Sequence, residues 1–93
     1  MINFSLKTHI WQWSGDMPWH FVTISKADTE KLRAAFPCAA MVKVEARIED
    51  IEWLTSLFYS REGQAYIMPI KKDIRQKLGL FHGEEVEVSI KVL

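Results

Sequence analysis

Lys71, Lys72, Arg75 and Lys77 crowd into seven residues around one acid, Asp73. Cations placed this way at a helix start could hold an anion or a phosphate backbone, since free backbone N–H groups there also favour negative charge. A solvated helix face is the plainer reading, because Ile70, Ile74 and Leu78 recur at helical spacing and leave the cations pointing outward. Thr55 and Ser56 follow Trp53 in a strand-like run. As nucleophiles they would need a base and an oxyanion site, and neither a Gly-x-Ser-x-Gly elbow nor a neighbouring histidine accompanies them. His9, His20 and His82 are too scattered for metal-ligand spacing, so neither a metal nor another cofactor is expected. Cys38 is the single cysteine and has no cation or base beside it in Phe36-Pro37-Cys38-Ala39-Ala40; it reads as a small buried hydrophobe. Trp11, Trp13, Trp19 and Trp53 could stack a planar ligand or single-stranded bases, but their expected use is to fill a small core. Should the fold enclose a pocket, the groups expected around it are Trp53, Ser56, Lys71, Lys72 and Arg75.

The chain of 93 residues fits one domain, expected over residues 1–93. Its composition, 48% apolar and 26% charged with 4 Gly and 3 Pro, excludes a disordered or low-complexity segment. Twelve basic residues balance twelve acidic ones, which disfavours a general nucleic-acid binder. No run reaches the roughly 18 apolar residues of a membrane span. The start Met1-Ile2-Asn3-Phe4 lacks the basic and apolar regions of a signal peptide, so the expected address is the cytoplasm.

The elements that must position these side chains follow from periodicity. Residues 2–13 read as one long strand with Ile2, Phe4, Leu6 and Ile10 on one side. Trp11 and Trp13 then fall on the formerly polar side, which predicts a bulge near Thr8–Ile10 or burial on both faces. Ser14-Gly15-Asp16 and Pro18 mark a turn, and residues 19–24 a second strand. Ser25 with Asp28 three residues on predicts a helix N-terminus, with Leu32, Ala35 and Phe36 as the apolar stripe and Pro37 as the stop. Residues 41–48 alternate cleanly, and residues 51–59 carry large groups on both faces, Ile51, Trp53 and Leu57 against Leu54 and Phe58. A turn at 60–63, a strand at 64–68, a short helix through Leu78 ended by Gly79, and an alternating strand over 85–92 complete the chain. The order strand, helix, strand occurs in both 19–48 and 64–92, a weak internal echo. About six strands and two short helices predict a small closed or nearly closed β-barrel.

The stretch Tyr66-Ile67-Met68-Pro69-Ile70 through Leu78-Gly79, followed by Gly83-Glu84-Glu85-Val86, resembles the strand–Pro–helix–Gly–strand unit of AbrB-type and MazE-type swapped-hairpin proteins. Over residues 3–92 the chain more closely resembles a bacterial domain-of-unknown-function family, number nineteen-oh-five. The Trp–turn–Trp start of that family is matched by Trp13-Ser14-Gly15-Asp16-Met17-Pro18-Trp19, and its Trp-x-Thr-Ser-Leu strand by Trp53-Leu54-Thr55-Ser56-Leu57. Ser25 stands where a Pro is frequent in the family, and Gly83-Glu84 where Gly-Asp is usual. The resemblance implies a mainly β fold, a double-split β-barrel with AbrB-like half-units inside one chain, and no established activity.

The function expected from these features is that of a non-catalytic module binding a small ligand or a protein, as a monomer, with a dimer as the alternative. A DNA-contacting regulator resembling AbrB-type proteins, using Lys71, Lys72 and Arg75, is the runner-up. An enzyme acting through Thr55 and Ser56 comes third.

Overall fold

A computed structural model describes residues 2–13, 15 and 19–93. The chain runs β1 (Asn3–His9), β2 (Trp11–Gln12), β3 (His20–Thr23), α1 (Lys26–Ala35), β4 (Met41–Ile48), β5 (Ile51–Ser60), β6 (Ala65–Pro69), α2 (Lys72–Leu78) and β7 (Glu85–Val92). All strands join one curled antiparallel sheet in the order β1-β7-β4-β5-β6-β3-β2, a half-barrel of seven strands.

The count is seven and not six because the first long strand divides. Phe4, Leu6 and Thr8 turn toward the core while Asn3, Ser5, Lys7 and His9 stay exposed. Ile10, wholly buried, then interrupts the ladder: its N–H donates to the Glu84 carbonyl at 2.9 Å and its carbonyl accepts from Gly83 at 2.7 Å. The predicted irregularity thus falls at Ile10, and there the chain leaves one end of the ladder for the other. β1 pairs with β7, whereas β2 pairs with β3. No strand ladder joins β1 to β3; a side-chain bond does, from Thr8 Oγ1 to the Thr23 carbonyl at 3.2 Å. The sheet is therefore open by its backbone pairing where a closed barrel was expected.

The echo has a counterpart in the pairing. β3, α1 and β4 form one half, β6, α2 and β7 the other. β3 pairs with β6 and β4 with β7, so each inter-half ladder takes one strand from each half. Alternation fixes the inner face, with Val42, Val44, Ala46 and Ile48 on β4 meeting Val86, Val88, Ile90 and Val92 of β7 in a common core.

Both helices start and stop for local reasons. Ser25 Oγ accepts from the Asp28 N–H at 3.2 Å and donates to Asp28 Oδ2 at 2.9 Å, the expected cap. α1 buries Leu32 and Thr29, while Ala35, expected in the apolar stripe, is exposed. The buried face runs through Thr29 and Leu32 to the half-buried Phe36, and Thr29 has a polar task inside: its Oγ1 accepts from the Tyr66 N–H at 3.3 Å. Tyr66 also donates its hydroxyl to the Ala39 carbonyl at 2.8 Å, tying the α1–β4 connection to β6. α2 buries Ile74 and half-buries Leu78, and Gly79 ends it at φ 65°, a left-handed position that favours glycine.

Two further expectations fail. Cys38 is exposed in a left-handed turn (φ 65°) past Pro37, not buried beside Ala39, because the chain reverses there before entering β4. The tryptophans do not jointly fill the core: Trp53 is 9% exposed, but Trp13 and Trp19 are 42% and 53% exposed. Their positions place them on the outward face of the sheet and in the segment joining β2 to β3. Of the turn expected over Ser14, Gly15, Asp16 and Pro18, only Gly15 lies within the described residues; the Trp13 ring packs so closely over it that a Cβ there would collide.

Candidate functional site

Strands with large groups on both faces leave part of that surface outside the core. β3 turns Val22 inward and Phe21 outward, β6 turns Met68 inward and Ile67 and Pro69 outward, and β5 turns Leu57 inward and Phe58 outward. The registers Phe21↔Pro69 and Phe58↔Ile67 bring these outward groups side by side across three strands. The chain leaving β6 then folds α2 along one side of this apolar strip. The result is a groove of about 790 Å³, open to solvent, within the size range of ligand sites. Trp19, His20 and Phe21 line one wall, Phe58, Ile67 and Pro69 the floor, and Ile70, Lys71, Lys72 and Arg75 the other wall.

The rings at the Trp19 wall have a defined geometry. Trp13 stacks on Trp19 with centroids 5.6 Å apart and planes 27° from parallel. Trp19 meets Phe21 edge-on, 6.4 Å apart at 78°, and Phe21 in turn packs on Trp11 at 5.0 Å. Trp11 is held by its indole N–H, which donates to Thr23 Oγ1 at 2.9 Å. Such offset and edge contacts contribute about 0.5–1.5 kcal/mol each beyond simple burial. His20 sits behind this wall, buried, its carbonyl accepting from the Ile70 N–H at 2.9 Å, which fixes the start of the α2 side against β3.

The opposite wall is cationic. Lys71 and Lys72 are exposed and Arg75 is half-buried. None of the three makes an ion pair among the described residues, and no carboxylate lines the groove there. Arg75 Nε is shut off from water without a hydrogen-bond partner, a costly state for a charged donor. The groove thus combines an apolar, ring-walled body with a positive rim. The lining holds no hydroxyl, thiol or carboxylate among the described residues.

Of the residues expected around a pocket, the fold brings Lys71, Lys72 and Arg75 together and leaves two elsewhere. Trp53 belongs to the inner face of β5 and packs in the core, with its Nε1 buried and unpartnered. Ser56 lies on β5 opposite Lys43, on the same face as Phe58 but outside the groove lining. Trp19, which could stack a planar ligand but was expected in the core, lines the groove, and the residues not foreseen are His20, Phe21, Phe58, Ile67, Pro69 and Ile70. Their signal was the second apolar parity of β5 and β3, Phe58 against Leu57 and Phe21 against Val22.

Two other concavities are chemically less selective. One, over β1, β7, β4 and β5, mixes Arg47 and Lys91 with Glu45 and Glu52. The second, near Glu49, Glu85 and Glu87, is mostly acidic. Among the described residues no three His, Cys, Asp or Glu side chains converge as a metal site would require, and no helix is long and apolar enough to cross a membrane.

No curated protein matches the chain. The sequence profile of one family does, over residues 7–90, a span that takes in every strand and both helices apart from the first residues of β1 and the last of β7. The chain therefore belongs to the family described as Domain of unknown function (DUF1905).

Proposed function

We propose that the protein is a non-catalytic binding module whose site is the groove between the outward face of β3, β6 and β5 and the cationic side of α2. Its ligand is a small apolar molecule carrying negative charge. One observation carries this: Lys71, Lys72 and Arg75 border an apolar floor with no compensating carboxylate among the described residues of the lining. Apolar contact supplies the affinity of such a site, and the few charged groups select and orient. Among the described residues the lining holds His20 but no hydroxyl, thiol or carboxylate for it to activate, which supports binding over catalysis.

The same proposal takes the curled sheet as a double-split barrel of two AbrB-like half-units in one chain. The reciprocal pairing of β3 with β6 and β4 with β7 supports it, as does the bridge from Thr8 to Thr23 at the seam.

Amide resonances of the labelled chain, followed while 2-naphthoate or decanoate is added to millimolar concentration, test the groove. Shifts should cluster at residues 19–21, 67, 68, 70 and 75, and exchanging Lys71 and Lys72 together for Glu should abolish them. Shifts spread over the whole surface, or none at all with both anions, would refute the proposal.

A second reading, a DNA-contacting regulator, rests on the same exposed Lys71 and Lys72 beside aromatic rings. The zero net charge weighs against it, because phosphate contacts supply most non-specific affinity. A gel shift at low salt decides: the absence of any retarded complex removes DNA from consideration.

A further inference from the structure

We infer that the ligand of this groove is an aromatic acid, a flat ring system bearing a carboxylate or phosphate, and not an alkyl-chain anion. The inference rests on the binding proposal above and narrows its chemistry. Trp13 stacks on Trp19, and Trp19 is still 53% exposed. Phe21 stands at 78° to it, 6.4 Å away. Two rings at nearly a right angle make a corner in which a third ring can stack on one and meet the other by its edge. Those are the two favourable geometries for an aromatic pair, and an alkyl chain gains neither. Both walls of the corner are already held in place, Trp19 by Trp13 and Phe21 by Trp11, so little ordering remains to be done on binding.

The charged end of the ligand is fixed from the other wall. Arg75 lines the groove half-buried, and because its Nε is shut off from water, the ligand meets the outer, Nη side of the guanidinium. A carboxylate or phosphate offers the planar oxygen pair that a guanidinium edge takes in a two-point contact. Lys71 and Lys72 add two further positive charges on the same rim, so a second negative charge on the ligand is also accommodated. The start of α2 is held against β3 by the bond from the Ile70 N–H to the His20 carbonyl, so the ligand lies in the groove with its ring in the Trp19–Phe21 corner and its anion toward Lys71, Lys72 and Arg75.

Four probes on the full chain test this: 2-naphthoate, 2-naphthyl phosphate, decanoate and the uncharged 2-naphthamide, each followed by calorimetry and by groove amide shifts. The naphthyl anions should bind at least about tenfold tighter than decanoate or 2-naphthamide. Trp19→Leu should weaken the naphthyl anions roughly two- to tenfold more than it weakens decanoate, in line with one lost ring contact. Arg75→Gln should weaken both anions about tenfold or more, as for a lost charge-assisted contact. Far-ultraviolet circular dichroism establishes that both variants fold. Whichever of the carboxylate and the phosphate binds tighter identifies the source of the charge, and either supports the inference. Decanoate binding in the groove as tightly as 2-naphthoate overturns the aromatic part while the binding module stands. Equal affinity for 2-naphthamide overturns the acid. No groove shift with any of the anions defeats the binding proposal itself.

Discussion

Thr29→Val isolates a single hydrogen bond by which a helix continues a β-ladder. Ile24 donates its N–H to the Tyr66 carbonyl at 2.8 Å, extending β3 along β6 by one residue. The next donor on that edge, the Tyr66 N–H, finds no strand residue and is received by Thr29 Oγ1 at 3.3 Å. Both residues are buried, so valine, of the same shape, leaves the amide without an acceptor and without water. Orphaning a buried donor costs about 1–3 kcal/mol, and the length of this bond puts the expected loss near the lower end, about 1 kcal/mol. For a domain of this size that is a fall in Tm of roughly 4–8 °C, or a lower urea midpoint at unchanged slope. Thr29→Ser loses one methyl group, about 0.8 kcal/mol, and keeps the oxygen. Stability alone does not separate the two variants, but hydrogen exchange does. The Tyr66 amide should lose protection relative to its neighbours in Thr29→Val and retain it in Thr29→Ser. A valine variant as stable as the parent, or one whose Tyr66 amide exchanges no faster, would refute the assignment of Thr29 as a surrogate strand residue.

Ser25→Ala should cost about 1 kcal/mol in urea denaturation, because the first turn of α1 loses the oxygen that receives the Asp28 N–H. Trp53→Ala should cost about 3–5 kcal/mol by the same measurement, as for any large core truncation. Trp19→Ala should cost no more than its ring contacts with Trp13 and Phe21, about 0.5–1.5 kcal/mol each, and equal losses at the two positions would contradict their placement on opposite faces of the sheet.

Most of the elements were legible because short-range rules set them. β4 and β7 alternate without interruption, Ser25 and Gly79 mark helix ends by their own backbone chemistry, and the parity change after Thr8 betrayed the break at Ile10. The site was legible in only one of its walls. Lys71, Lys72 and Arg75 stand close in sequence, whereas Trp19, Phe58 and Ile67 meet only through the β3–β6–β5 registers. A strand with bulky groups on both faces does not say which face the core will claim, so the sequence allows Trp53 both a core and a pocket place and puts Trp19 in the interior. Cys38 misled for a related reason: its small apolar neighbours suggest burial, but a left-handed turn carries it outward.

The reciprocal exchange of strands also bears on how the chain reaches this state. Val22 finds Met68, and Ala46 finds Ile90, across stretches of roughly half the sequence, and neither half holds a sheet that is complete by itself. Loop-closure entropy must be met before either long-range ladder rewards it, which makes folding slow for so small a protein. The hairpin of β4 and β5, closed by Glu49 and Asp50, is the one extensive pairing that needs no distant partner. Collapse is therefore expected to begin there, with the two ends of the polypeptide threading onto it afterwards.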